Sequence, residues 1–70
     1  MAKRSVTIAG HRTSVSLEDA FWNELGRLAA RDGKSLNGLI AEIDDGRDTN
    51  LSSAIRLYVL AALQREAGTD

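Results

Sequence analysis

The chain has 70 residues, one histidine, no cysteine and a formal net charge of −1, so it forms one small domain without disulfides. A domain of this size buries too little surface to be comfortably stable alone, and because it lacks disulfides and a cluster of metal ligands, oligomerisation is expected to enlarge its core. The chain has one histidine, no cysteine and no paired carboxylates on a shared face, so it lacks the usual groups of acid–base and nucleophilic catalysis. We therefore expect no enzyme, no cofactor and no metal centre.

The N-terminal part is basic, although the whole chain is slightly acidic. Residues 1–17 contain three basic side chains and no acid, whereas the remaining residues contain six basic and ten acidic ones. A basic segment on an acidic body is typical of a ribbon that binds anions locally. Residues 1–4, with Lys3 and Arg4, are expected to be a flexible basic tail. The chain shows no signal-peptide pattern or long apolar run, so a soluble, cytoplasmic protein is expected.

Residues 5–9 alternate between polar and apolar side chains, with Val6 and Ile8 as the apolar positions, and Gly10 follows. Two structures are compatible with this pattern. Either the segment folds back as an extra strand, or it continues the following ribbon past a kink at Gly10. An extra strand that covered the ribbon's outer face would oppose DNA binding.

Residues 11–17 have the clearest strand pattern in the chain. One face would carry Thr13, Val15 and Leu17, and the other face Arg12, Ser14 and Ser16. This period of two predicts a strand with one buried and one solvated face. The strand needs a partner for its backbone groups, and most of the chain is helical in pattern. Pairing with the same strand of a second copy is therefore predicted.

A helix is predicted over about residues 18–32, because the apolar residues now recur at spacings of three and four. Its apolar stripe comprises Leu17, Phe21, Trp22, Leu25 and Leu28. Ser16 is a candidate N-cap, and Gly33 is expected to end the helix in the left-handed conformation.

A second helix is predicted over about residues 35–45, with Ser35 as its N-cap and Ile40 on its apolar face. The polar residues that follow it, from Asp44 to Thr49, indicate a turn.

A third helix is predicted over about residues 50–65, and Asn50 is its candidate N-cap. Its apolar positions include Ile55, Tyr58 and Val59. Because this helix is apolar almost all round between 57 and 63, it is expected to be buried between subunits. The whole domain would span residues 5–66, followed by a disordered tail at 67–70.

This order of strand, helix, turn and helix resembles a ribbon-helix-helix domain of the Arc/MetJ/CopG-like superfamily. The string Arg-Thr-Ser-Val-Ser-Leu at 12–17, with the helix of Phe21, Leu25 and Leu28, is similar to the start of CopG-like and nickel-regulator-like members. The turn Asp-Gly-Lys-Ser-Leu-Asn at 32–37 looks like the helix–helix turn of the Arc repressor. The wider chain also resembles a family of small bacterial ribbon-helix-helix-domain proteins.

The resemblance implies a mainly α fold with one short β ribbon. Two copies would intertwine as a homodimer through antiparallel strands, and a third C-terminal helix would be added to the minimal fold. A different register also fits, in which residues 50–63 form the second helix of the fold and 35–45 are an insertion. The Gly33-Lys34-Ser35 turn favours the first register.

The resemblance further implies that the ribbon lies in the major groove of double-stranded DNA. The residues implied to contact bases are Arg12, Ser14 and Ser16. Those implied to contact phosphates are Lys3, Arg4, Lys34, Ser35, Leu36 and Asn37, the last two through backbone N–H groups at a helix start. The residues expected in the core or dimer interface are Thr13, Val15, Leu17, Phe21, Trp22, Leu25, Ile40, Ile55, Tyr58 and Val59.

Each assignment has a structural alternative. The two strand serines suit any solvated strand face. Lys34 and Ser35 are equally compatible with a turn and a helix cap. His11, the only histidine, is more typical of an edge residue than of a catalytic base. At the level of function, a homodimeric DNA-binding transcriptional regulator, such as a repressor, competes with a protein-interaction module. That module, an antitoxin or adaptor, would bind little or no DNA, and its third helix would bind a protein partner.

Overall fold

The computed structural model describes residues 1–68 as two strands followed by three helices. The elements are β1 (Ala2–Ile8), β2 (His11–Leu17), α1 (Asp19–Arg31), α2 (Leu36–Asp45) and α3 (Leu51–Ala67). The predicted mainly α fold with a short ribbon and a third C-terminal helix is confirmed. The tail predicted at 67–70 lies partly outside the described residues, and its first residue, Ala67, still belongs to α3.

The two strands form an antiparallel hairpin within one chain. The cross-strand pairs run from Ala2 opposite Leu17 to Ile8 opposite His11. The two residues of the turn both have positive φ, 51° at Ala9 and 82° at Gly10, which is the backbone signature of a type I′ turn. The upstream segment therefore forms the extra strand. Since β1 lies beside β2, it leaves the outer face of β2 uncovered.

The expectation of a mobile tail over residues 1–4 is wrong for residues 2–4, which belong to β1. Trp22 explains the difference, because its Nε1 donates a hydrogen bond of 2.9 Å to the carbonyl oxygen of Ala2. The guanidinium carbon of Arg4 also lies 4.8 Å from the centroid of the Trp22 ring, within the range of a cation–π interaction. The start of the chain is thus attached to α1.

The hairpin also changes the argument for a second copy. The backbone of β2 already has a partner along one edge, namely β1 of the same chain. Pairing between β2 strands of two copies remains a prediction, and it would use the other edge of β2.

Replacing Ala9 with asparagine is expected to stabilise the hairpin by about 1 kcal/mol. An alanine in the left-handed region is strained by about 1–2 kcal/mol, and asparagine followed by glycine is favoured in type I′ turns. Urea denaturation followed by circular dichroism would measure the gain. The β-branched variant Ala9→Val should lose stability, and equal stabilities of the two variants would contradict the turn assignment.

The inner face of the hairpin packs on the helices and forms the core with them. The residues buried there are Val6, Ile8, Val15, Leu17, Trp22, Leu25, Leu28, Ala29, Leu39, Ile40, Ile55, Val59 and Ala62. Among the predicted core residues, only Thr13, Phe21 and Tyr58 are half-buried rather than buried. A single chain therefore buries this core without a second copy.

The expected burial of α3 on all sides is not observed within the chain. Ile55, Val59 and Ala62 face the core, but Leu57 and Leu60 are 61% and 50% exposed. A helix that packs on one side only leaves the opposite side to solvent, whatever its composition.

The helix ends follow local chemistry. Ser35 Oγ accepts a hydrogen bond from Gly38 N at 3.0 Å, and Asn50 Oδ1 accepts one from Ser53 N at 2.9 Å, so both predicted N-caps are present. At the end of α1, Gly33 has a φ of 69°, and Lys34 N donates to Ala29 O at 2.9 Å, as in a Schellman motif.

Ser16 is not the N-cap of α1. That position belongs to Glu18, which makes no side-chain capping bond. The reason is that residues 16 and 17 continue the pairing with β1, so the helix begins only at Asp19.

Ion pairs fix the end of α3 to α1. Glu66 accepts from Arg27 at 2.8 Å and from Arg31 at 3.0 Å. The hydrogen bond from Arg27 is the main cause that lowers the pKa of Glu66, and Arg31 adds to it.

These ion pairs predict a pH dependence of stability. Because the pKa of Glu66 is lowered in the folded protein, its contribution is present above the ordinary value of 4.5 and is lost as the pH falls through the lowered value. Glu66→Gln should therefore reduce the loss of stability below pH 4.5 in urea denaturation. Asp45→Asn is the control, since Asp45 makes no ion pair within the described residues. Equal acid sensitivity of Glu66→Gln and wild type would contradict this prediction.

Candidate nucleic-acid interface

The hairpin surface that points away from the helices is the strongest candidate site, and we call it the outer face. It consists of three side chains from each strand, namely Lys3, Ser5, Thr7, Arg12, Ser14 and Ser16. All six are polar, two are basic and none is acidic. All are exposed except Ser16, which is half-buried.

Period-two alternation explains how these residues share a face. The register places Lys3 opposite Ser16, Ser5 opposite Ser14 and Thr7 opposite Arg12. Residues paired across two strands point to the same side of a sheet, and their apolar neighbours point to the core. The predicted base-contacting residues are therefore brought together on one exposed surface.

The basic side chains of the outer face are free for a ligand. Lys3 and Arg12 make no ion pair within residues 1–68, whereas Arg27, Arg31 and Arg47 are engaged with carboxylates. The two free groups lie toward opposite ends of the hairpin, with Arg12 next to the turn. An anionic partner would meet no competing acid on this surface.

Sequence reasoning missed the contribution of β1 to this face. It assigned base contacts to β2 alone, although Ser5 and Thr7 lie directly beside Ser14 and Arg12. Two features of the sequence could have revealed this contribution. They are the alternation of residues 5–9 and the two-residue spacer at 9–10. A spacer of two residues fixes which side chains of two strands are opposite each other.

The other predicted phosphate contacts have different surroundings. Lys34 Nζ forms an ion pair of 2.8 Å with Glu42 Oε1, which raises the pKa of Lys34. Ser35 Oγ caps α2, and Leu36 and Asn37 form the first turn of that helix. Of the six predicted phosphate-contacting residues, only Lys3 lies on the outer face.

By the alternation along β1, Arg4 belongs to the face that packs on the helices. Its side chain is nevertheless exposed, at the edge of the core. Its guanidinium stacks on Trp22, so it serves the attachment of β1 to α1. To contact a phosphate, the Arg4 guanidinium would either bind it while stacked on Trp22 or move away from that ring.

The described residues contain no group of three His, Asp or Glu side chains that could hold a metal ion. Among the helices of residues 1–68, none combines the length and the apolar character needed to cross a membrane.

The architecture agrees with the comparison to protein families. A family model described as a ribbon-helix-helix domain matches residues 1–63. No curated protein and no solved structure matches the chain. Domains of this family are generally DNA-binding regulators that dimerise, and they are typically not enzymes. Since the match covers nearly the whole chain and the hairpin is followed by the expected helices, this protein belongs to the ribbon-helix-helix family.

Proposed function

We propose that this chain is a homodimeric, sequence-specific DNA-binding protein that acts as a transcriptional regulator and inserts a two-stranded ribbon into the major groove. The observation that carries the proposal is the outer face, which is exposed, free of acids and basic through Lys3 and Arg12. The remainder of the chain carries the excess of acidic residues. Repulsion of the acidic body from DNA would orient the hairpin toward the duplex.

The outer face has suitable groups for the floor of the major groove. Arg12 can donate two parallel hydrogen bonds to O6 and N7 of guanine. Ser14 and Ser16 can donate to or accept from base edges. Two strands lie about 4.8 Å apart, and the major groove, about 12 Å wide, admits such a ribbon.

Contacts with the DNA backbone are proposed for the six residues assigned from the sequence. Lys3 is free to bind a phosphate, and the open N–H groups at the start of α2, at Leu36 and Asn37, suit an anion. Lys34 would leave its ion pair with Glu42 and bind a phosphate instead. Ser35 Oγ would donate its proton to a phosphate and still accept the capping hydrogen bond from Gly38 N. Arg4 would contact the backbone beside Trp22.

A second copy has two open surfaces to bind. One is the edge of β2 remote from β1, where the β2 strands of the two copies would pair in the predicted intertwined dimer. The other is the exposed side of α3, where Leu57 and Leu60 are uncovered. Packing of a second copy over these two side chains would remove their apolar surface from water.

Arg12→Ala tests the proposed function. Loss of a bidentate guanine contact costs about 1–3 kcal/mol, so the affinity for a selected duplex should fall about 5- to 150-fold. Binding would be measured by fluorescence anisotropy, first on random duplex at several salt concentrations and then on duplexes selected by the wild type. Affinity for random duplex should fall as salt rises, because phosphate contacts release counterions.

The matched control is Arg31→Ala, which removes the same charge from an ion-paired arginine at the end of α1. It should keep nearly the wild-type affinity, and both variants should keep the wild-type circular dichroism. If Arg12→Ala binds as tightly as wild type, the hairpin is not the DNA-binding element.

The competing function is a protein-interaction module on the same fold. The exposed Leu57 and Leu60 favour it, since they form an apolar surface suited to another helix. This function predicts no DNA binding even at low salt. It also predicts that Leu57→Glu abolishes the complex with the protein partner, while Arg12→Ala leaves that complex intact.

A further inference from the structure

We infer that β1 is a phosphate-binding strand that flanks the two-copy ribbon on each side, with Ser5 and Thr7 as ligands of the DNA backbone besides Lys3. In this arrangement the two β2 strands specify the bases, and β1 adds affinity without sequence preference. The inference rests on the proposed DNA binding and on the predicted pairing of the β2 strands. It adds what the extra strand does on the DNA.

The hairpin determines where β1 lies in such a dimer. Since β1 occupies one edge of β2, pairing of two copies at the other edge gives a sheet in the order β1, β2, β2, β1. Neighbouring strands lie about 4.8 Å apart, so each β2 would lie about 2.4 Å from the two-fold axis and each β1 about 7 Å from it. The major groove extends about 6 Å to either side of such an axis, because it is about 12 Å wide. The central pair would therefore lie over the base edges, and each β1 would lie over a row of phosphates.

The outer-face side chains of β1 are of the types that contact phosphates. Lys3 carries a compact positive charge and makes no ion pair within residues 1–68, so it is free to meet a phosphate. Ser5 and Thr7 are exposed, and their hydroxyl groups donate hydrogen bonds suited to phosphate oxygens. The arginine of the outer face, whose planar group matches guanine, lies on β2 instead.

The free edge of β1 adds backbone donors at the same place. Ile8 and His11 flank a two-residue turn and therefore form a hydrogen-bonded pair. Pairs alternate along the hairpin, so the outer-face residues of β1 direct their backbone N–H groups away from β2. Within residues 1–68 no further strand pairs with this edge. The N–H groups along it are thus open to phosphate oxygens, as are the hydroxyl groups beside them.

The test compares two threonines of the same hairpin and two basic residues. Thr7→Val removes a hydroxyl from the outer face and keeps the β-branched shape, whereas Thr13→Val makes the same change on the half-buried inner face. Lys3→Ala removes the free charge of β1, and Arg31→Ala is its ion-paired control. Each variant would select duplexes from a random library. Fluorescence anisotropy would then measure its affinity for the wild-type sequence and for random duplex, at several salt concentrations.

We expect Thr7→Val to bind the selected and the random duplex less tightly by the same factor, about 5- to 150-fold, because a dimer loses one hydrogen bond in each copy. Lys3→Ala should make the dependence of log K on the logarithm of the salt concentration less steep by about 1.8, as expected for two lost charges. Both variants should select the wild-type sequence. Thr13→Val and Arg31→Ala should bind nearly as the wild type does.

The inference is overturned if Thr7→Val binds as tightly as wild type, if Lys3→Ala keeps the wild-type salt dependence, or if either variant selects a different sequence. It is also overturned if the wild type binds DNA as a single chain, as judged by sedimentation. In all these cases the binding of DNA itself would stand. Absence of any binding to duplex DNA by the wild type at about 50 mM salt would reject the proposed function and this inference with it.

Discussion

Trp22→Ala is expected to lower the free energy of unfolding by about 3–5 kcal/mol, as is typical when a large aromatic residue is removed from a core. Trp22 is only 3% exposed. It also holds the start of the chain through Ala2 and stacks with Arg4. A domain of this length has a total stability of about 4–10 kcal/mol, so the substitution should remove a large share of it. Urea denaturation followed by circular dichroism would measure the loss, since the variant has no tryptophan to report by fluorescence.

Trp22→Phe separates packing from the hydrogen bond to Ala2. Phenylalanine keeps most of the aromatic contact but has no donor for the Ala2 carbonyl, so the loss should be about 0.5–1.5 kcal/mol. If Trp22→Ala costs less than about 1 kcal/mol, the hairpin is not anchored to α1 in the way described.

Leu17→Ala should also be strongly destabilising, with an expected loss of about 2–5 kcal/mol. Leu17 is completely buried and lies at the end of β2, directly before α1. Its removal would leave a cavity between the sheet and the helices, which the short connection to α1 has little freedom to close. Urea denaturation by circular dichroism or tryptophan fluorescence would measure the change.

Ser14→Ala is the matched control on the same strand. Ser14 lies on the outer face, so its loss should change stability by less than about 0.5 kcal/mol while weakening DNA binding. Equal destabilisation by Leu17→Ala and Ser14→Ala would contradict the assignment of the two faces of β2.

Much of the fold was predictable because it depends on local patterns. The alternation along β2 separates Val15 and Leu17 from Arg12 and Ser14, and the structure has the same division. Ser35, Asn50 and Gly33 mark helix ends through chemistry that involves only their neighbours in sequence.

The remaining features depend on contacts between distant residues. The attachment of β1 requires Trp22 to reach Ala2, and no local pattern signals that contact. The exposure of Leu57 and Leu60 depends on which side of α3 meets the core. Likewise, the pairing of Lys34 with Glu42 depends on the angle between a turn and the following helix. The roles of the outer-face residues in DNA binding remain predictions.

The short turn at Ala9 and Gly10 has a consequence for how the molecule forms. Strands joined by two residues pair side chains that are close along the polypeptide, and such local pairing needs little loop closure. A β-hairpin of this kind forms within about 1–10 μs. If the hairpin closes within each chain, refolding kinetics should be independent of protein concentration, unlike the kinetics of subunits that must meet before their strands can pair.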